Sequence, residues 1–502
     1  MTLATLVGVA VFVALACGTL AVPQQQHSGS ARRHKHVGAM NQGLLHVMRK
    51  QGHDTSDIFT PVSADVKWFT QKVDHFNPQD TRTFQQQYQV NATYHKQGGP
   101  VFLMLGGEGP ASPRWLEIDT AIMIYARQHD AVVVQLEHRF YGKSQPFKDL
   151  STDHLQYLSS EQALADAANF LTSFMPGAPA VVFGGSYSGA LAAFFRSKYP
   201  HLVNGAISTS SPVYALVDFH QYHEVVRNSL ATVPHNGSHC SAAIATATEK
   251  IQTMLKTTNG RKQLAKDFNL CGDSDVTHDD DIETLFTNLA GNIDGVVQYN
   301  LDNNHFEGRT KVPTITDVCA VMAATPNDPY AAYANLQKYL TGGECIETSY
   351  ANMIAEMKNT SLSSDVAGGM RQWIYQTCVE FGFYQTSEGN DKPFLNTISL
   401  KYNLDQCSDI YGVPGPNVNW TNANYGGYDV AGTNIVYVNG LIDPWHALSR
   451  TDTALPDGCD AIVIPQTAHC ANMYPPSPDD PPALTRARET ISSYLGVWTG
   501  GN

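Results

Sequence analysis

Val181-Val182-Phe183-Gly184-Gly185-Ser186-Tyr187-Ser188-Gly189 decides how this chain is read. An apolar run passes through two glycines into a serine. A helical pattern then covers residues 189–199 until Pro200 stops it. A serine on a tight strand-to-helix turn is the nucleophile elbow of α/β-hydrolases, where small neighbours let the flanking backbone approach the turn. Gly184 stands two residues before Ser186, as G-x-S-x-G requires. Ser188 takes the place of the second glycine, and Gly189 follows one position later.

Outward from the elbow, short apolar runs alternate with helical patterns. Strands are expected at 101–105, 131–136, 180–183 and 205–208, and again at 434–438 and 461–464. This rhythm predicts βαβ units and a parallel sheet. Residues of about 213–430 read differently: polar, richer in helix formers, and holding six of the cysteines. The expected class is therefore α/β: an α/β-hydrolase core with an inserted, mainly helical, disulfide-bonded cap domain. The division is 63–212 for the first part of the core, 213–430 for the cap and 431–502 for the rest, with a closing helix near 485–495.

A serine hydroxyl is a weak nucleophile until a base takes its proton, and the base needs an orienting acid. In this fold the order along the chain is Ser, then Asp or Glu, then His. The two late strands supply candidates in that order, since Asp443 follows the run at 434–438 and His469 follows that at 461–464. His446, three residues after Asp443, is a rival base, but His469 has a strand end of its own. The oxyanion donors are expected to be the backbone N–H groups of Tyr187, just after the nucleophile, and of Gly107 in Gly106-Gly107-Glu108-Gly109. Trp445 is a candidate substrate-binding wall, because a rigid apolar group packs well on an aromatic face. Trp373, Tyr375 and Phe383 are candidates for lining the same cleft. No metal is expected: His223-Glu224 lacks the second histidine of a zincin helix, and 273–281 lacks the glycine and final glutamate of an EF-hand.

The first 22 residues are uncharged and end in small residues. They read as a secretory signal cleaved near Ala21, against the competing reading of a membrane anchor. Residues 22–62 read as a leader or pro-segment. Beyond Cys17 the chain holds eight cysteines, enough for four disulfides, among which a Cys459–Cys470 bridge would brace the His469 loop. Sequons at Asn91, Asn236, Asn359 and Asn419 also fit export, so the expected location is secreted or lysosomal/endosomal. The chain has 502 residues, 42% hydrophobic and 16% charged, with 32 Lys plus Arg against 46 Asp plus Glu and a net charge of −14. That supports a large core and disfavours nucleic-acid binding, which needs a basic surface. After signal cleavage no stable membrane span is expected, and a homodimer stays open.

Further segments carry a resemblance: residues 71–77 (QKVDHFN), 105–109 (LGGEG), 137–142 (EHRFYG), 184–189 (GGSYSG), 371–385, 439–445 (NGLIDPW) and 468–469. Together and in this order they resemble the prolylcarboxypeptidase-like family of serine peptidases. The Gly-Gly-Glu-Gly loop and the Glu-His-Arg-Phe-Tyr-Gly stretch look most like its thymus-specific branch. The resemblance implies Ser186, Asp443 and His469 as the triad, no cofactor, and short peptide substrates cut from one end after proline or a small residue. Which end is attacked stays open. A secreted esterase or lipase on the same fold, and a non-catalytic binding protein on that scaffold, are the alternatives.

Overall fold

The computed structural model describes residues 64–500 apart from 118, 236, 273–275, 302–311, 389–392 and 453. The expected signal and leader, and the sequon at Asn236, lie outside the described residues. Eight strands form one sheet: β1 (Asp65–Lys72), β2 (Thr83–Asn91), β3 (Val101–Leu105), β4 (Val132–Leu136), β5 (Ala180–Gly185), β6 (Gly205–Thr209), β9 (Ile435–Gly440) and β10 (Asp460–Ile464), in the spatial order β1-β2-β4-β3-β5-β6-β9-β10. From β4 to β10 every neighbour pair is parallel, while β1 and β2 are antiparallel additions at one edge.

The parallel strands are mostly apolar because helices cover both faces. Side chains alternate across the sheet, so Val101, Leu103 and Leu105 enter one core while Phe102 and Met104 enter the other. The closing helix Pro482–Thr499 packs Leu484, Ala487, Ile491, Leu495 and Trp498 into that second core. The Trp498 ring comes so close to Gly205 that a Cβ there would stand 2.2 Å from it.

The antiparallel edge is absent from the sequence reading, for a physical reason. The buried positions of β2 include Gln86, Gln87 and Gln89, so hydrophobic alternation fails. The Gln86 amide is satisfied inside: Gln71 Nε2 donates to Gln86 Oε1 at 2.9 Å, and Gln86 Nε2 donates to Glu137 O at 2.8 Å.

The chain leaves the sheet after β6 and returns at β9. Between them lies the cap, mainly helical, with a two-stranded parallel ribbon of β7 (Leu216–Asp218) and β8 (Gly382–Tyr384). Its helices carry local start and stop signals. In the helix Pro329–Thr341, Asp328 accepts from Ala331 N, proline opens the first turn, and Gly342 closes it at φ 59°. Disulfides Cys240–Cys319, Cys271–Cys345 and Cys378–Cys407 staple the cap. The cap is tied to the core by polar contacts: Gln372 Nε2 donates to Phe140 O at 2.9 Å, and the buried Glu380 carboxylate accepts from both N and Oγ of Ser160.

Two expectations are corrected. Cys459 and Cys470 are both free, not bridged. β10, five residues and about 16 Å long, lies between them and leads away from Cys459 before the loop to Cys470 begins. Asn91 is also unsuited to carry a glycan, since it is buried with Nδ2 donating to Leu116 O at 2.5 Å. Asn359 and Asn419 are exposed. No described helix is long and apolar enough to cross a membrane.

Candidate active site

β5 runs directly into Ser186, whose backbone at φ 59° and ψ −130° is a conformation L-residues rarely adopt, and the helix Tyr187–Lys198 begins at the next residue. The turn is that tight because its neighbours are small. A Cβ on Gly184 would stand 1.9 Å from Ser188 O, and one on Gly189 2.4 Å from Thr209 O. Ser188 fits at the place of the usual second glycine by closing the turn: its Oγ donates to Gly185 O at 2.8 Å and accepts from Gly185 N at 3.0 Å.

Asp443 and His469 leave the ends of adjacent strands β9 and β10. Their side chains are wholly buried, with Nδ1 of His469 2.9 Å from Oδ2 of Asp443. The other carboxylate oxygen accepts from Trp445 N at 3.0 Å, which fixes its direction. Burial opposes a charged imidazole here, but the Asp443 carboxylate, the adjoining Cys470 sulfur and their hydrogen bonds outweigh it. The His469 pKa is held well above its ordinary value.

Backbone contacts bring these loops against the elbow. Ser186 N donates to Thr209 O at 2.9 Å, the next residue Ser210 accepts at Oγ from Cys470 N at 2.9 Å, and a Cβ on Gly185 would stand 2.9 Å from Cys470 Sγ. The residues flanking Ser186 and His469 are thus in contact, at a separation of nearly 300 positions in the chain. His446 does not join them. Its Nδ1 lies 2.7 Å from the backbone oxygen of Asp443, so it braces the turn rather than meeting the carboxylate.

Tyr187 is the first residue of its helix, so its N–H has no acceptor within the helix. Its phenol is buried against His138 Nε2, at 3.1 Å, and accepts from Gln376 Nε2 at 2.8 Å. Burial holds His138 down at about 4, which leaves this network neutral. Gly107 lies over Ser188, with 3.7 Å between a Cβ built on it and the serine side chain. Trp445 packs against Phe219, Tyr222 and Phe383 with ring centroids 5.5–5.8 Å apart. Phe383 in turn meets Trp373, which meets Tyr187 at 5.4 Å. Tyr375 instead packs on Tyr411, outside this aromatic chain.

One residue at the site was invisible in the sequence. Gln298, at the end of the cap helix Asp279–Gln298, accepts from His469 N through its backbone oxygen at 2.9 Å. Its Oε1 accepts from Trp445 Nε1 at 3.1 Å and from Tyr222 OH at 2.7 Å, and its Nε2 donates to Tyr299 OH at 2.9 Å. The Tyr299 ring stands edge-on to His469 at 5.8 Å. A glutamine on an amphipathic helix carries no signal of such a role.

The model of the family described as serine carboxypeptidase S28 matches residues 71–491. The chain belongs to the serine carboxypeptidase S28 family. This S28 chain is 36% identical to the thymus-specific serine protease of Mus musculus, over 86% of its own length and 87% of the relative's. It is 31% identical to the lysosomal Pro-X carboxypeptidase of Homo sapiens, over 86% and 88%. Among solved structures, a proline iminopeptidase of Mycobacterium smegmatis aligns over 86% of the chain and 99% of its own, with 13% identity and a TM-score of 0.38. The S28 chain is a serine-type peptidase on the α/β-hydrolase fold, and peptides are its substrates.

Proposed function

We propose that Ser186, His469 and Asp443 are the catalytic triad of this peptidase and that it is an exopeptidase on short peptides, with proline or a small residue before the scissile bond. The observation that carries the reading is the buried 2.9 Å contact between His469 and Asp443, on loops packed against the Ser186 elbow. Ser186 Oγ attacks the peptide carbonyl as His469 takes its proton. His469 then protonates the departing amine, and water repeats the sequence to release the acyl group. Asp443 holds the Nδ1–H tautomer and stabilises the imidazolium formed in each step. The backbone N–H groups of Tyr187 and Gly107 hold the oxyanion, each worth about 3 kcal/mol of barrier.

The aromatic chain Trp445–Phe383–Trp373–Tyr187 supplies a rigid apolar wall suited to a proline ring. Work in the secretory pathway, as a secreted or lysosomal/endosomal enzyme, fits the three disulfides and the relative named lysosomal. The test is covalent labelling with a fluorophosphonate. Ser186→Ala is expected to abolish it with the fold intact, and labelling that persists would overturn the nucleophile assignment.

A further inference from the structure

Glu108 lies in the loop after β3, directly following Gly107, and the mechanism above makes no use of it. Only 1% of its surface is exposed, and neither carboxyl oxygen has a hydrogen-bond partner in another described residue. The cap packs against its backbone: a Cβ on Gly369 would stand 2.5 Å from Glu108 O, with the Tyr141 ring of the core 3.5 Å away. The titratable groups in electrostatic reach are His469 on the β10 loop, Tyr141 after β4 and Tyr187 at the elbow.

The two phenols are committed elsewhere. Tyr141 OH donates to Gln376 Oε1 at 2.7 Å, and Tyr187 OH pairs with His138 and Gln376. A second buried carboxyl, Glu380, faces both phenols from the cap but is itself held by Ser160. No described lysine or arginine forms an ion pair with Glu108. A buried carboxylate without a protein partner is strongly disfavoured, so the group favours its neutral form. Burial pushes its pKa up to about 8.

We propose that Glu108 is a positioning residue of the reaction that serves only with its carboxyl protonated, and that its ionisation shuts the site by setting a negative charge beside the forming oxyanion. The proposal rests on the Ser186 reading and on Gly107 as the second oxyanion donor. Glu108 is the next residue along and buried, so its charge would oppose, with little screening, the charge that Gly107 and Tyr187 must stabilise. The neutral acid imposes no such penalty. One loop thereby carries both an oxyanion donor and a proton-dependent gate on it.

The test is the pH dependence of kcat/KM for wild type and Glu108→Gln, which keeps the shape and removes the ionisation. Relative to Glu108→Gln, which shares the titration of His469, the wild type is expected to lose activity tenfold or more between about pH 7 and about pH 9.5, as the carboxyl ionises. Glu108→Gln is expected to keep at least about half the wild-type activity at about pH 6 and to lose this alkaline fall. Glu380→Gln, the neighbouring buried carboxyl, is expected to retain the fall. An alkaline fall that persists in Glu108→Gln overturns the proposal. So does a tenfold loss at about pH 6 in a folded variant, which would mark an ionised carboxylate anchoring a cationic substrate end. Should Glu108→Gln fail to fold, the rate of fluorophosphonate labelling of the wild type decides. It must drop above about pH 8 with unchanged circular dichroism, and a flat or rising rate refutes the gate. Labelling that survives Ser186→Ala is a separate outcome, which fails the nucleophile reading itself.

Discussion

Replacing Gln298 by leucine tests whether the cap builds the site. The substitution keeps the approximate volume and leaves the backbone oxygen that accepts from His469 N. What it removes is an acceptor shared by two buried donors, Trp445 Nε1 and Tyr222 OH, and a donor to Tyr299 OH. Each buried polar group left without a partner costs about 1–3 kcal/mol, so the two donors together predict a loss of about 2–6 kcal/mol in stability. Trp445 keeps its ring contacts but loses the bond that fixes its rotation. With about 1.4 kcal/mol of that loss felt at the substrate wall, kcat/KM for a proline-containing peptide falls about tenfold, mostly through KM. The assay is urea denaturation beside steady-state kinetics for Gln298→Leu, Trp445→Phe and the double variant. In the Trp445→Phe background the indole donor is already gone, so Gln298→Leu should cost about 1 kcal/mol less than in the wild type. Strict additivity of the two changes, or a loss below about 0.5 kcal/mol for Gln298→Leu alone, would refute the coupling.

Asp443→Asn should lower kcat by about a thousandfold or more while leaving the fold intact, because the Trp445 N–H keeps an oxygen acceptor but the imidazole loses its orienting charge; stopped-assay kinetics at several pH values checks it. Stability should decline as pH rises through neutrality. Burial raises Glu380 from 4.5 to about 7, so the folded state holds a proton that the unfolded chain releases, and the advantage is complete below about pH 4.5 and gone above about pH 7. Glu108 acts in the same direction up to about 8. Urea midpoints at about pH 5 and about pH 8 should therefore converge in Glu380→Gln, and an unchanged gap would reject this assignment. Glycopeptide mapping of the chain expressed through a secretory pathway should find sugar on Asn359 and Asn419, which are exposed, and none on Asn91, whose amide is buried against Leu116.

The parallel strands were legible because each is a short apolar run bounded by turn residues, and the elbow because strand, glycines, serine and helix are contiguous. The positions of Asp443 and His469 followed from strand ends and chain order alone. All of these signals are local, or are fixed by the order of elements in the fold.

What tertiary structure decided is everything that depends on partners distant in the chain. β2 hides its buried face behind glutamines, of which Gln86 finds its partners in β1 and in the loop after β4. Cys459 and Cys470 stand eleven positions apart, yet an intervening strand separates them, while cysteines 79 and 74 positions apart are joined. Gln298 reaches Trp445 across 147 residues, and Glu108 is an ordinary loop glutamate until the cap closes over it. Side-chain chemistry and spacing set which elements form. Burial and hydrogen-bond completion, which exist only after packing, set which of their polar groups are left to act.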